Sequence, residues 1–261
     1  MIGAIAGDII GSRFEFHNHK SKNFDLFTDS SVFTDDTVLT CATAHVLSVG
    51  GDYTKAYRRF FKAYPDRSYG GRFQLWAEGL IEDPYESWGN GSAMRVSPVA
   101  WAFDSLEEVL QEAERSAKVT HNHPEGIKGA QAIAAATFLA RTGASKADIK
   151  TFVSHRFGYD LNFTLEAIRP TYSFDVSCQG SVPQAVVAFL ESEGFEDAIR
   201  NAISIGGDSD TIAAMTGAIA EAFYGKIPPE ILKETWNRLD TTLKKTILKF
   251  REGIKAYDPF L

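Results

Sequence analysis

Residues 205–225 read IGGDSDTIAAMTGAIAEAFYG. An apolar approach is broken by Gly206 and Gly207, two aspartates flank Ser209, and an alanine-rich run closes at Gly225. From Asp210 onward apolar residues recur at spacings of three and four, which predicts a helix. Aspartate opens it and glycine ends it, as capping requires. The opening is costly: two carboxylates a few ångströms apart repel by roughly 1 kcal/mol in water and several times that near a protein surface. Asp208 and Asp210 need a reason to stand together.

The same helical pattern recurs outward along the chain. It is clear at 36–47, 52–64, 105–119, 126–142, 182–192 and 241–254, several of these beginning with serine, threonine or aspartate. The segment 157–183 is the least periodic and is expected to carry a long loop. No Gly/Ser-rich or Pro-rich linker divides the sequence, and no internal repeat or low-complexity tract is present. The expectation is an all-α fold, a compact helical bundle forming a single domain over 1–261. Gly3, Gly7 and Gly11 stand four apart in GAIAGDIIG, one smooth stripe on a helix that lets a neighbouring helix approach closely. This is not a dinucleotide-binding loop, because the spacing is wrong and no strand precedes it.

Bulk properties narrow the function. A net charge of −7 and a pI of about 5.4 disfavour a nucleic-acid scaffold, which usually needs a basic face. Two cysteines, Cys41 and Cys178, cannot make a disulfide framework and suit a reducing compartment. The N-terminus MIGAIAGDIIGSRF is apolar enough to suggest an export signal, but Asp8 interrupts it and no basic region precedes it. No stretch approaches the roughly 20 apolar residues of a membrane span. A soluble cytoplasmic protein with no membrane partner, acting as a monomer, is expected.

A second acidic cluster, FTDDTVLTCA, also sits where a helical pattern begins and contains Thr34, Asp35, Asp36 and Thr37. Each cluster alone reads as a helix cap with an acidic first turn, where the helix dipole favours carboxylates. Together they form an all-oxygen donor set, which suits Mg²⁺, Mn²⁺ or Ca²⁺ rather than zinc. Cations would relieve the repulsion in GGDSDT. A competing zinc site would draw on HNH, which occurs at 17–19 and again at 121–123, but zinc wants three or four nitrogen or sulfur ligands. DSDT also differs from the Asp-x-Asp-x-Thr loop of haloacid-dehalogenase phosphatases, because Thr211 directly follows Asp210.

The ordered blocks GAIAGDIIGSRFEF, FTDDT, GNGSAMRVSPVA, THNHPEGIKGA and IGGDSDTIAAMTGAIAEAFYG resemble the ADP-ribosylglycohydrolases. The blocks run from residue 2 to about 225. The resemblance implies an all-α fold with a binuclear Mg²⁺ or Mn²⁺ site in a central cleft, and hydrolysis of the bond between ADP-ribose and an acceptor. It makes Thr34, Asp35 and Asp36 one ligand group and Asp208, Asp210 and Thr211 the other. Glu15, in GSRFEF, matches a glutamate beside the metals. Asn90, Gly91, Ser92, Ala93, Met94 and Arg95 match a loop around the diphosphate and ribose; Tyr69, Gly70 and Gly71 match a second glycine turn. His121 matches a histidine near the substrate, and Tyr172 or Phe174 is expected to stack on adenine.

On this reading the ribose acquires positive charge in an oxocarbenium-like transition state, and metals orient its hydroxyls and polarise a water. Either Glu15 or a metal-bound hydroxide handles the proton. Three alternatives stay open: a metal-dependent phosphatase, a non-catalytic ADP-ribose binder, and a structural protein. The acceptor, whether arginine, serine, nucleic acid or a small molecule, is not fixed.

Overall fold

The glycine-striped segment forms a helix, α1 (Ile2–Gly11), whose every residue is buried. The computed structural model describes residues 1–254, so residues 255–261 of the expected domain lie outside the described residues. A 3-10 turn (Ser12–Phe14) and an irregular stretch lead to α2 (Asp35–Val49), α3 (Tyr53–Ala63) and α4 (Gly71–Ala77). Two single turns, α5 (Gly91–Met94) and α6 (Val99–Ala102), precede α7 (Leu106–Lys118), α8 (Pro124–Arg141) and α9 (Lys146–Phe157). Then come the turn α10 (Leu165–Ile168), α11 (Cys178–Leu190), α12 (Phe195–Ser204) and α13 (Ser209–Tyr224). The last elements are α14 (Pro229–Asn237) and α15 (Thr241–Gly253). Among the described residues the only strand-like pairing is one bridge between Gly89 and Ser177. The fold is all-α.

The glycine stripe brings α1 and α13 backbone to backbone. A Cβ at Gly7 would lie 2.1 Å from the Ala213 carbonyl oxygen, and one at Gly217 would lie 2.2 Å from that of Gly3. The same contact sets the C-terminal end of α1 against the N-terminal end of α13, where a Cβ at Gly11 would meet Asp210 Cα at 2.5 Å. The packing of small residues therefore delivers Asp8 to Asp210.

Around this pair lie two apolar clusters. Ala6 and Ile10 of α1 face one with Ile133, Val186, Ile203 and Ile212. Ile2, Ile5 and Ile9 face the other with Val38, Tyr57 and Phe250. A helix that is apolar all round belongs in a core, which is why the N-terminus mimics an export segment. No helix of the described residues is long and apolar enough to cross a membrane.

One boundary differs from the sequence pattern. The helix expected from Val182 starts at Cys178, because the Ser177 hydroxyl accepts from the Gly180 N–H at 2.9 Å and caps it earlier. Pro183, which reads as a start signal, lies inside α11. With the turn α10 also present, the expected long loop at 157–183 is broken into short connections.

Candidate metal centre and substrate cavity

The N-termini of α2 and α13 converge on Asp8. Thr34 and Thr37 donate their N–H groups to Asp8 Oδ2 at 3.0 and 3.1 Å, and the Thr34 hydroxyl donates to Asp8 Oδ1 at 2.7 Å. The Thr37 hydroxyl is a fourth donor to Asp8. Thr34 in turn caps α2 by accepting from the Asp36 N–H at 3.3 Å. Across the gap, Asp208 is the N-cap residue of α13 but makes no side-chain cap hydrogen bond. Its Oδ2 accepts instead from Asn90 Nδ2 at 2.7 Å. Thr211 joins the two ends by donating its hydroxyl to Asp36 Oδ2 at 3.2 Å.

The result is two interlocked carboxylate groups. Asp8, Asp36 and Asp210 each offer an oxygen within 4.8 Å of the others, and so do Glu15, Asp208 and Asp210. Asp210 belongs to both. Burial, followed by repulsion from neighbouring acids, pushes Asp35, Asp36 and Asp210 well above the usual carboxylate range. Burial raises Asp8 and Asp208 too, against the hydrogen bonds that pull them down. Glu15 is pushed up to about 7 by burial and then by the charges of Asp208 and Asp8.

The donor set fits divalent cations. It is all oxygen, which matches hard ions, and Asp36 Oδ1 is buried without any hydrogen-bond partner. An orphaned buried carboxylate oxygen is expensive, and a cation would satisfy it. Among the described residues, neither carboxylate group includes a histidine or cysteine. The HNH pairs serve other ends: His17 is exposed, His19 packs on Phe14 and Phe24, and His123 caps α8 through Nδ1.

Glu15, Asp35, Asp36, Asp208 and Asp210 line a cavity of about 400 Å³, and Asp8 lies behind them. Of the residues singled out from sequence, the cavity is lined by Glu15, Asp35, Asp36, Asp208, Asp210, Thr211, Tyr69, Gly70, Gly71, Asn90, Gly91, Met94, Arg95 and His121. Thr34, Ser92 and Ala93 do not line it. Thr34 turns its hydroxyl onto Asp8. Ser92 donates to the Gly126 carbonyl at 2.7 Å, and Ala93 is fully buried in the core. Asp35 reaches the cavity but joins neither carboxylate group.

Arg95 is fully buried, with its guanidinium 4.1 Å over the Tyr57 ring and Nη2 donating to Thr120 Oγ1 at 2.8 Å. His121 packs behind Gly91: a Cβ there would lie 3.1 Å from His121 Nε2. Burial, then the Arg95 charge, holds His121 well below its usual pKa, so the ring is neutral. At the mouth Phe174 stacks on exposed Phe16, their centroids 6.2 Å apart. Tyr172 lies behind the wall, donating to the Gly180 carbonyl at 2.7 Å with its ring against Gly207.

The sequence reading passed over Asp8. Its signal was present, since a lone charge in an apolar, glycine-striped helix must find partners when that helix is buried on all sides. Arg72, Tyr85, Ser87, Gly89 and Val176, which also line the cavity, carry no comparable pattern.

Comparisons with known proteins bear on the fold and the family. ADP-ribosylhydrolase ARH3 of Mus musculus is 28% identical, the match covering 91% of this chain and 85% of that protein. ADP-ribosylarginine hydrolase Tri1 of Pseudomonas putida is 25% identical over 91% of this chain and 74% of its own length. A solved structure described as an ADP-ribosylglycohydrolase-related protein complex shares the fold, with a TM-score of 0.69 at 23% identity over 98% of this chain and 96% of that one. The family model for ADP-ribosylglycohydrolase matches residues 1–256. The chain belongs to the ADP-ribosylglycohydrolase family.

Proposed function

We propose that this protein hydrolyses the glycosidic bond between ADP-ribose and an acceptor, using two Mg²⁺ or Mn²⁺ ions. The observation that carries the reading is a pair of carboxylate groups sharing Asp210, all of whose members but Asp8 line a cavity that also takes in Gly70, Gly71, Gly89 and Gly91. Asp8, Asp36 and Asp210 would hold one cation and Glu15, Asp208 and Asp210 the other. Such ions, when bound, supply Lewis-acid polarisation and a fixed seat for the ribose hydroxyls.

The rest of the chemistry falls to the chain. Gly91, which has hydrogen where any side chain would press on His121, lets an anionic diphosphate approach the backbone. Asn90 holds Asp208 in place. Neutral His121 adds a polar ring beside that turn without adding charge. The buried carboxylates face the positive charge that develops on the ribose as the bond breaks. Glu15, half-buried at the cavity edge, takes the proton of the attacking water on a carboxylate oxygen. The Phe16–Phe174 pair screens the mouth from solvent. Buried, unpaired Cys41 and Cys178 support a reducing, cytosolic setting.

The test is release of ADP-ribose from arginine-linked, serine-linked, nucleic-acid-linked and small-molecule conjugates, with and without Mg²⁺ or Mn²⁺. At least one conjugate should be cleaved only with metal, and Glu15→Gln should slow that turnover by about 10²–10⁴-fold, the range for acid–base groups. Its affinity for free ADP-ribose should stay within a few-fold of wild type. Binding of ADP-ribose without cleavage of any conjugate would instead identify a non-catalytic binder.

A further inference from the structure

The first HNH run continues into Lys20 as HNHK (17–20), and the site does not use its histidines. Its other two residues grip the aspartate loop. Gly207 donates its N–H to Asn18 Oδ1 at 2.7 Å, and Asn18 Nδ2 returns a bond to the Gly207 carbonyl at 3.1 Å. The same Nδ2 lies 3.1 Å from the Glu15 carbonyl oxygen and 3.3 Å from that of Phe14. One amide thus ties the backbone of Glu15 to the residue just before Asp208. Lys20 reinforces the join. Its ammonium donates to the Ile205 carbonyl, at the C-terminal end of α12 where a cation is favoured, and to the Tyr172 carbonyl at 2.6 Å.

The loop is shaped for this grip. Gly206 and Gly207 have φ of +70° and +80°, backbone that L side chains rarely adopt. A Cβ at Gly206 would stand 2.9 Å from both Asn18 Oδ1 and Lys20 Nζ. The two glycines therefore bend the chain and leave room for the clasp at once.

We propose that Asn18, backed by Lys20, is a positioning residue that fixes the Glu15 carboxylate against Asp208 and Asp210. Glu15 sits on a short irregular stretch after α1, whereas Asp210 sits on the rigid α13. The Ser12–Phe14 turn packs against α13, and the Asn18 clasp adds a direct tie between the backbone of Glu15 and the residue before Asp208. The inference rests on the role of Glu15 proposed above. Residues that orient ligands in this way typically contribute about 10–100-fold to metal affinity or activity.

The test is a double-mutant cycle of Asn18→Ala and Glu15→Gln, read by turnover and by calorimetric titration of the metal-free protein with Mn²⁺. Asn18→Ala alone should lower turnover by roughly 10–100-fold and weaken Mn²⁺ binding by roughly tenfold. In the Glu15→Gln background it should change neither by more than about twofold, because residues that act as a unit are not additive. Should Asn18→Ala fail to fold, Asn18→Ser takes its place in the cycle. Wild-type behaviour of the Asn18 variant, or losses that add fully to those of Glu15→Gln, overturns the clasp. A Glu15→Gln protein with wild-type turnover and Mn²⁺ binding overturns the reading of Glu15 itself, and with it the basis of the clasp.

Discussion

The N-termini of α2 and α13 open alike, with Asp36-Thr37 after Asp35 and Asp210-Thr211 after Asp208 and Ser209, yet the carboxylates gathered there are employed differently. At α2 the cap is complete: Asp8 accepts from Thr34 and Thr37, and Thr34 accepts from Asp36. At α13 the N-cap side chain makes no cap bond, and Asp208 turns to Asn90 while Asp210 joins both carboxylate groups. Asp8, on α1, holds the α2 end by hydrogen bonds and still offers an oxygen to the group with Asp36 and Asp210. The α13 end spends helix stability on charges aimed at the cavity. Identical residue types therefore do not imply identical roles; the hydrogen bonds each carboxylate already makes decide how much of it is left for a ligand.

The largest effect expected from this contrast is at the shared acid. Asp210→Asn should reduce turnover by at least about 10³-fold, since both carboxylate groups lose a member. For the wild type, saturation with Mn²⁺ at 100 times its dissociation constant adds about 2.7 kcal/mol, roughly 5–10 °C in melting temperature for a chain of this size. The variant should lose that increment. Its metal-free melting temperature should be equal to or above that of the metal-free wild type, because a repelled buried charge has been removed. A variant that melts lower without metal but keeps the Mn²⁺ increment breaks the comparison.

In the metal-free protein the opposite signature is expected at Asp8, the most fully hydrogen-bonded acid of the two groups. Asp8→Ala strands buried N–H and hydroxyl donors, each costing about 1–3 kcal/mol when unsatisfied. The metal-free protein should melt at least roughly 6 °C lower on thermal denaturation. If Asp8→Ala and Asp210→Asn shift the metal-free melt in the same direction, the contrast between a hydrogen-bonded acid and a repelled one does not hold.

Much of this was legible in the residues. Most of the long helices follow from spacing and caps, though α9, α12 and α14 are not among those expected, and the close packing of α1 on α13 follows from three glycines four apart. The acid clusters stood out because their repulsion needs an explanation. What the sequence could not express was partnership across the chain. Asp8 looked like an interruption in an apolar run, since nothing local shows that it meets Thr34 and Thr37. Ser92 and Ala93 sit in the same glycine turn as Asn90 and Gly91, but the single helical turn α5 rotates them into the core. Pro183 hid the true start of α11, because the cap that overrides it, Ser177, lies in an irregular stretch.

A smaller effect sharpens the other side of the cavity, away from the acids. Gly91→Val would press on His121 and occupy the approach to the backbone while leaving both carboxylate groups in place. ADP-ribose affinity by calorimetry should fall at least about tenfold, or 1.4 kcal/mol, with the Mn²⁺ stability increment retained. Unchanged affinity would make this turn an ordinary helix entry.

Asp210 is proposed to serve two cation sites made by different helix ends. Anomalous diffraction from crystals grown with Mn²⁺ tests this most directly. The account predicts two manganese peaks, one among Asp8, Asp36 and Asp210 and one among Glu15, Asp208 and Asp210. A manganese-saturated crystal with no peak beside Asp210, or with the ions bound elsewhere, would contradict it.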